Sequence, residues 1–138
     1  MVSFFNETDF TLPYKKNTLK RWVKAIATSE NRKVGAINYI FCDDDYLHRI
    51  NVQYLAHDTL TDIITFDYCQ GDTLHSDIYI SIERVRENAT DYGVPFEQEL
   101  LRVLSHGILH LCGYKDKTPA DSTQMRFKEE EKIKLFSE

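Results

Sequence analysis

The chain has 138 residues, 42% of them hydrophobic and 12% aromatic, which suits one folded domain over 1–138 with a core of its own. With 17 Lys and Arg against 22 Asp and Glu the net charge is −5, which excludes a uniform basic coat for nucleic acid but not a local basic patch. No apolar run approaches the roughly 20 residues that cross a bilayer, and the first residues lack the layout of a secretory leader. The 3 cysteines are too few for a disulfide framework, so a cytoplasmic protein with reduced thiols and no membrane partner is expected.

In chain order, Val2 to Phe5 reads as a short strand. From Asn17 to about Ser29, Leu19, Trp22, Val23 and Ile26 recur at helical spacing, with Asn17 as the expected N-cap. Lys20, Arg21 and Lys24 lie off that apolar face, in a stretch that also holds Lys15, Lys16, Arg32 and Lys33 against one acid, Glu30. They are candidate contacts for a polyanion such as a nucleic-acid backbone, a solvated helix face being the plainer alternative. Val34 to Cys42 is a strand by its branched and aromatic content, and Asp43 to Asp45 can cap a second helix whose Leu47, Ile50 and Tyr54 share a face. Asp62 to Tyr68 is a strand, apolar at consecutive positions as expected when both sheet faces are covered.

Gly71-Asp72 marks a turn, and Asp77 to Ile82 alternates as a strand, so the short link between the two implies an antiparallel hairpin. Val85, Ala89 and Tyr92 line a helix that Gly93 can end. Pro95, Glu97 and Glu99 open another that runs to about Cys112, and Thr118-Pro119 starts a last one. The order β-α-β-α-β-β-α-α-α predicts an α+β fold: a small mixed four-stranded sheet with one antiparallel strand and helices packed over it.

The chemistry concentrates between Ser105 and Asp116. His106 and His110 are four apart on a predicted helix, so their imidazoles lie on one face within reach of a single ion. Leu100, Leu104, Ile108 and Leu111 form a different, core-facing stripe. Gly113 can end the helix in a left-handed turn, bringing Asp116 back as a third ligand. Two histidines at this spacing alone are better read as ordinary surface or core-edge residues; Gly113 and Asp116 at these offsets turn the reading toward a zincin-like metal site. Two imidazoles and one carboxylate are a familiar three-ligand set for catalytic zinc, the cofactor expected here, although another divalent metal would also suit.

The spacing H-x-x-x-H-x-x-G-x-x-D follows the metzincin ligand pattern with Asp in the last slot. The peptidases of that group carry a general-base Glu directly after the first His, where this chain has Gly107. His57 and Asp58, in an expected loop, are candidate acid/base groups or plain loop caps. Asp62 and Asp77, near strand starts, can orient a ligating histidine or satisfy backbone donors. Cys112 reads as a small core residue, Lys115 as a phosphate contact, and Phe4, Phe5, Tyr14 and Trp22 as core aromatics that could otherwise stack on bases.

The segment His106-Gly107-Ile108-Leu109-His110-Leu111-Cys112-Gly113-Tyr114 resembles the H-G-x-L-H-L-x-G-Y-D-H signature of the YbeY family of bacterial metal-dependent endoribonucleases. Thr61 to Phe66 resembles that family's T-D-V-L-S-F segment, Asn51 and Tyr54 its N-x-x-Y-R element, and Ser76-Asp77-Ile78 its G-D-I strand. The resemblance places metal ligands at His106 and His110, and a third at Asp116, where the family has histidine; Lys115 stands where it has Asp and Leu55 where it has Arg. An aspartate in place of the third imidazole lowers the charge of a zinc centre from about +2 to about +1, so a water held there is expected to be less acidic.

The resemblance implies a single-strand endoribonuclease in ribosomal RNA maturation, including the 3′ end of the small-subunit RNA, and in ribosome quality control, with ribosomal RNA and the ribosome or small subunit as partners. Its metal-activated water would attack a phosphodiester. The alternatives are a metallopeptidase-like hydrolase and a ribosome-associated binding module whose zinc is structural.

Overall fold

A computed structural model describes residues 1–55 and 61–137. The elements are β1 (Val2–Asn6), α1 (Lys16–Ser29), β2 (Lys33–Cys42), α2 (Asp44–Leu55), β3 (Ile63–Asp67), β4 (Thr73–Ser81), α3 (Ile82–Tyr92), α4 (Phe96–Leu111) and α5 (Pro119–Ile133). They follow the predicted order in an α+β fold. The sheet runs β1-β2-β4-β3, with β1 and β4 parallel to β2 and β3 antiparallel to β4. β4 is thus central and β3 is the one antiparallel strand, at the edge.

Alternation along the strands sends Ile37, Tyr39 and Phe41 of β2 and Leu74, Ile78 and Ile80 of β4 to one face. That face meets Leu19, Trp22, Val23 and Ile26 of α1 and Leu100, Leu104 and Ile108 of α4 in the main core. Trp22 satisfies its buried indole by donating Nε1–H to the Lys132 carbonyl (2.8 Å), which ties α1 to α5. The opposite face is covered by α2, where Leu47 and Ile50 join Cys42 and Ile64 in a smaller core. No helix among the described residues is long and apolar enough to cross a membrane.

Several local expectations are corrected. α1 begins before Asn17: the Leu19 N–H donates to the Lys15 carbonyl (3.1 Å), making Lys15 the N-cap. On α2 the third inward position is Asn51 rather than Tyr54, which is 64% exposed and meets Phe66 edge-on near the sheet rim. Tyr92 is 54% exposed rather than core. Ile82 opens α3 instead of closing β4, because the Ser81 side chain accepts the Arg84 N–H and starts the helix there.

α4 lies unusually close to the sheet at Gly107, where a Cβ would stand 3.2 Å from Cδ1 of both Ile63 and Ile78. The glycine therefore seats the helix on β3 and β4, with both histidines on the adjoining face of the helix, bordering the cleft beside β3.

Candidate metal centre

The end of α4 builds the centre. Gly113 N–H donates to the His110 carbonyl (3.0 Å) and Tyr114 N–H to the Leu109 carbonyl (3.1 Å), a Schellman closure. Gly113 has φ +102°, a left-handed conformation that a side chain would strain. The reversed chain brings the Asp116 carboxylate back over the helix, where one oxygen, Oδ2, lies 3.3 Å from His106 Nε2 and 3.7 Å from His110 Nε2. Ser122 at the start of α5 donates Oγ–H to the Asp116 carbonyl (3.2 Å) and steadies that loop.

The far nitrogen of each imidazole is held as well. His106 Nδ1 is 2.6 Å from Glu129 Oε2, and His110 Nδ1 is 3.0 Å from the Tyr114 carbonyl oxygen. Both partners accept, so each ring donates from Nδ1, and Nε2, the atom facing Asp116, is the one left to bind a metal. Glu129 is 2% exposed and also takes Arg102 Nη1 (3.2 Å), while Arg102 Nε reaches Glu99 at 2.9 Å. Tyr114 is anchored in turn, its hydroxyl donating to Glu30 Oε1 (2.7 Å), while Lys132 Nζ holds the other Glu30 oxygen (2.7 Å).

Burial alone would hold the His106 imidazolium pKa down, but the Glu129 hydrogen bond and the Glu129 and Asp116 charges carry it above its ordinary value. His110 moves the other way: burial, then the charge of His106, keep it below the ordinary value.

The ligand atoms of His106, His110 and Asp116 all lie within 4.8 Å of one another. In a tetrahedral zinc site with bonds of about 2.0–2.1 Å, ligand atoms stand about 3.4 Å apart, close to the separations from Asp116 to the two histidines. The donor set and the Nδ1 acceptors therefore fit a divalent metal. The three side chains border a cleft of about 750 Å³, with Asp62, Thr65 and Glu129 on its walls.

Comparison with known proteins decides the family: the model for Endoribonuclease YbeY matches residues 4–137. The chain belongs to the YbeY endoribonuclease family. Proteins named Endoribonuclease YbeY from Flavobacterium psychrophilum and Flavobacterium johnsoniae are 61% and 57% identical to it over 136 residues. Each alignment covers 99% of this chain, with 96% and 97% of the two relatives respectively. A Thermotoga maritima protein solved in solution matches with a TM-score of 0.67 at 30% identity, covering 97% of this chain and 87% of that one. As a YbeY member the protein is a hydrolytic nuclease.

Against this YbeY framework the expected site residues divide. His106, His110 and Asp116 converge as expected. His57 and Asp58 lie outside the described residues. Asp62 lines the cleft and accepts from Asn88 Nδ2 (3.4 Å), whereas Asp77 turns to the other sheet face and accepts from Asn38 Nδ2 (3.0 Å), away from the histidines. Lys115, Arg21 and Lys24 are exposed and Lys20 is half-buried, so the expectation of a fully exposed cation at Lys20 is corrected; none of these four lines the cleft.

Phe4 stacks on Tyr39, Tyr14 packs edge-on to Phe136 and Trp22 is buried, leaving Phe5 as the exposed member of that set. Cys112 packs against the main core with its thiol pushed up to about 11, first by burial and then by the Glu30 charge. Glu129 escaped the sequence reading. It sits in an acidic run, and its one signal is that Met125, Glu129 and Lys132 share a buried helix face.

Proposed function

We propose that this protein is a zinc-dependent endoribonuclease specific for single-stranded RNA. It matures ribosomal RNA in the cytoplasm, including the 3′ end of the small-subunit RNA, takes part in ribosome quality control, and has the ribosome or small subunit as its partner. The observation that carries the reading is the paired orientation of the histidines. With Glu129 and the Tyr114 carbonyl on the two Nδ1 atoms, both Nε2 edges face the Asp116 carboxylate across an open cleft.

When bound there, zinc would supply Lewis acidity to a phosphodiester oxygen and a more acidic water. His106 and His110 would hold it through Nε2 and Asp116 through its carboxylate. Glu129 keeps the His106 proton on Nδ1 and the ring in place, and the Gly113 turn does the same for His110 through Tyr114. Exposed Arg21, Lys24 and Lys115 are proposed contacts for RNA beyond the cleft.

Neither alternative gains a foothold. The position after the first histidine, where a peptidase needs its base, packs against Ile63 and Ile78. A closed structural zinc site needs a fourth protein ligand, and the cluster among the described residues has three.

The test is cleavage of single-stranded RNA, duplex RNA and a peptide by wild type and His110→Ala, each with and without added zinc. Zinc-dependent cleavage of the single strand alone, abolished in His110→Ala, is expected. Peptide cleavage, or RNA cleavage that survives the substitution, would refute the reading.

A further inference from the structure

We infer that Arg126 is the side chain that grips a phosphate of the RNA strand inside the active-site cleft. This rests on the nuclease reading above and adds the residue that holds the substrate.

The charges around the cleft are mostly wrong for a polyanion. Among the described residues Asp62, Asp67, Asp116 and Glu129 line it, against two cations, Arg102 and Arg126. Arg102 is already committed. It bridges Glu99 and Glu129, two carboxylates that are 1% and 2% exposed, and turning toward a ligand would strand both without a partner. Its pairing with Glu129 also supports His106, so its position is tied to the metal ligands rather than to substrate.

Arg126 is placed differently. It is exposed, on the turn of α5 before Glu129, and it shares the cleft wall with Ser122 and Met125 of the same helix. Among the described residues it makes no ion pair. Its guanidinium carbon stands 5.4 Å from the centre of the exposed Tyr92 ring, which is also 5.3 Å from that of Arg102. Ring contact orients the guanidinium while leaving its N–H donors open to a ligand. An oriented guanidinium that feels the Glu99 charge but is in ion-pair contact with no described carboxylate, on the wall of an otherwise acidic cleft, suits a bidentate grip on a phosphodiester. The lysines that flank Asp116 in sequence, Lys115 and Lys117, do not line the cleft and offer no substitute there.

The test compares wild type, Arg126→Gln and Arg126→Lys in the zinc-loaded protein. A fluorogenic single-stranded RNA is cleaved over a range of salt, and binding of a labelled strand is followed by anisotropy before cleavage sets in. Arg126→Gln is expected to weaken binding about tenfold, the scale of one charged hydrogen-bonding contact, with KM affected more than kcat. It should also reduce the slope of log affinity against log salt by about 0.7, one phosphate's share on a single strand. Arg126→Lys keeps the charge and should restore the salt slope while recovering part of the affinity.

A purely structural role on Tyr92 would lower the melting temperature without changing the salt slope. An unchanged slope and affinity in Arg126→Gln, with wild type binding normally, overturns this inference alone. A wild type that neither binds nor cuts RNA overturns the nuclease reading beneath it.

Discussion

Glu129 is the residue on which the electrostatics of the centre turn. Replacing it with Gln keeps the shape, removes the charge and leaves one acceptor oxygen where two now serve His106 Nδ1 (2.6 Å) and Arg102 Nη1 (3.2 Å), at a site 2% exposed. A neutral acceptor gives a hydrogen bond roughly half as strong as a carboxylate, and loss of such an outer partner typically weakens metal binding about 10–100-fold. That range is about 1.4–2.7 kcal/mol. Arg102 retains Glu99, so the fold should survive.

The metal-free protein provides an independent sign. Because the folded pKa of His106 is raised, its protonation contributes stability that is fully present below the unfolded value of about 6.5 and lost as pH rises through the folded value. Glu129→Gln should remove that acid-side gain. The assays are competition for zinc against a chromophoric chelator and thermal melts of the metal-free protein on both sides of the imidazole range. Zinc affinity equal to wild type, with the acid-side gain intact, would refute the reasoning.

Gly107→Glu, which restores the peptidase base by sequence, should instead bury a carboxylate against Ile63 and Ile78. The expected cost exceeds about 3 kcal/mol, read as a collapsed melting temperature; a stably folded variant would contradict the close approach of α4 to the sheet. Gly113→Ala forces a side chain into φ +102° and should cost about 1–2 kcal/mol, loosening the turn that carries Asp116, so zinc affinity should fall with stability. Circular dichroism melts and zinc titration read the two effects.

Glu30 is drawn below its ordinary pKa: burial opposes the shift, but hydrogen bonds from Lys132 and Tyr114 outweigh it. Its contribution is present above the ordinary carboxylate value of about 4.3 and lost as pH falls through the lower folded value. Lys132 is raised against burial by its hydrogen bonds to Glu30 and Glu131, so its contribution is present below about 10.4 and lost at higher pH. Denaturation across pH should therefore show both arms flattened in Glu30→Gln, and unaltered arms would argue against the pairing.

The metal triad was legible because each of its members obeys a local rule. Helical period sets His106 and His110 together, and one left-handed glycine sends Asp116 back. The sheet followed from equally local signs: the turn at Gly71 gave the β3–β4 hairpin, and the helix-separated strands gave parallel pairing. What escaped is non-local. Glu129 lies 23 residues from His106, and nothing in its acidic run marks it until α5 packs beside α4. Arg126 and Tyr92 meet from separate helices in the same way.

Asp62 and Asp77 looked alike as strand-start carboxylates, yet Asp62 precedes β3, free of the strand's alternation, and lines the cleft, whereas Asp77 lies within β4 and its parity turns it to the opposite face. Lys20 was placed outside the apolar stripe by period alone, which does not fix how much of a long side chain the folded protein leaves exposed.

X-ray absorption at the zinc edge of the loaded protein tests the central claim most directly. Nitrogen and oxygen ligands at about 2.0–2.2 Å, with outer-shell scattering from two imidazoles and none from sulfur, is the expected spectrum, and it should lose one imidazole in His110→Ala. A sulfur ligand at about 2.3 Å in the wild type, or an imidazole count that His110→Ala leaves unchanged, would contradict a centre built from His106, His110 and Asp116.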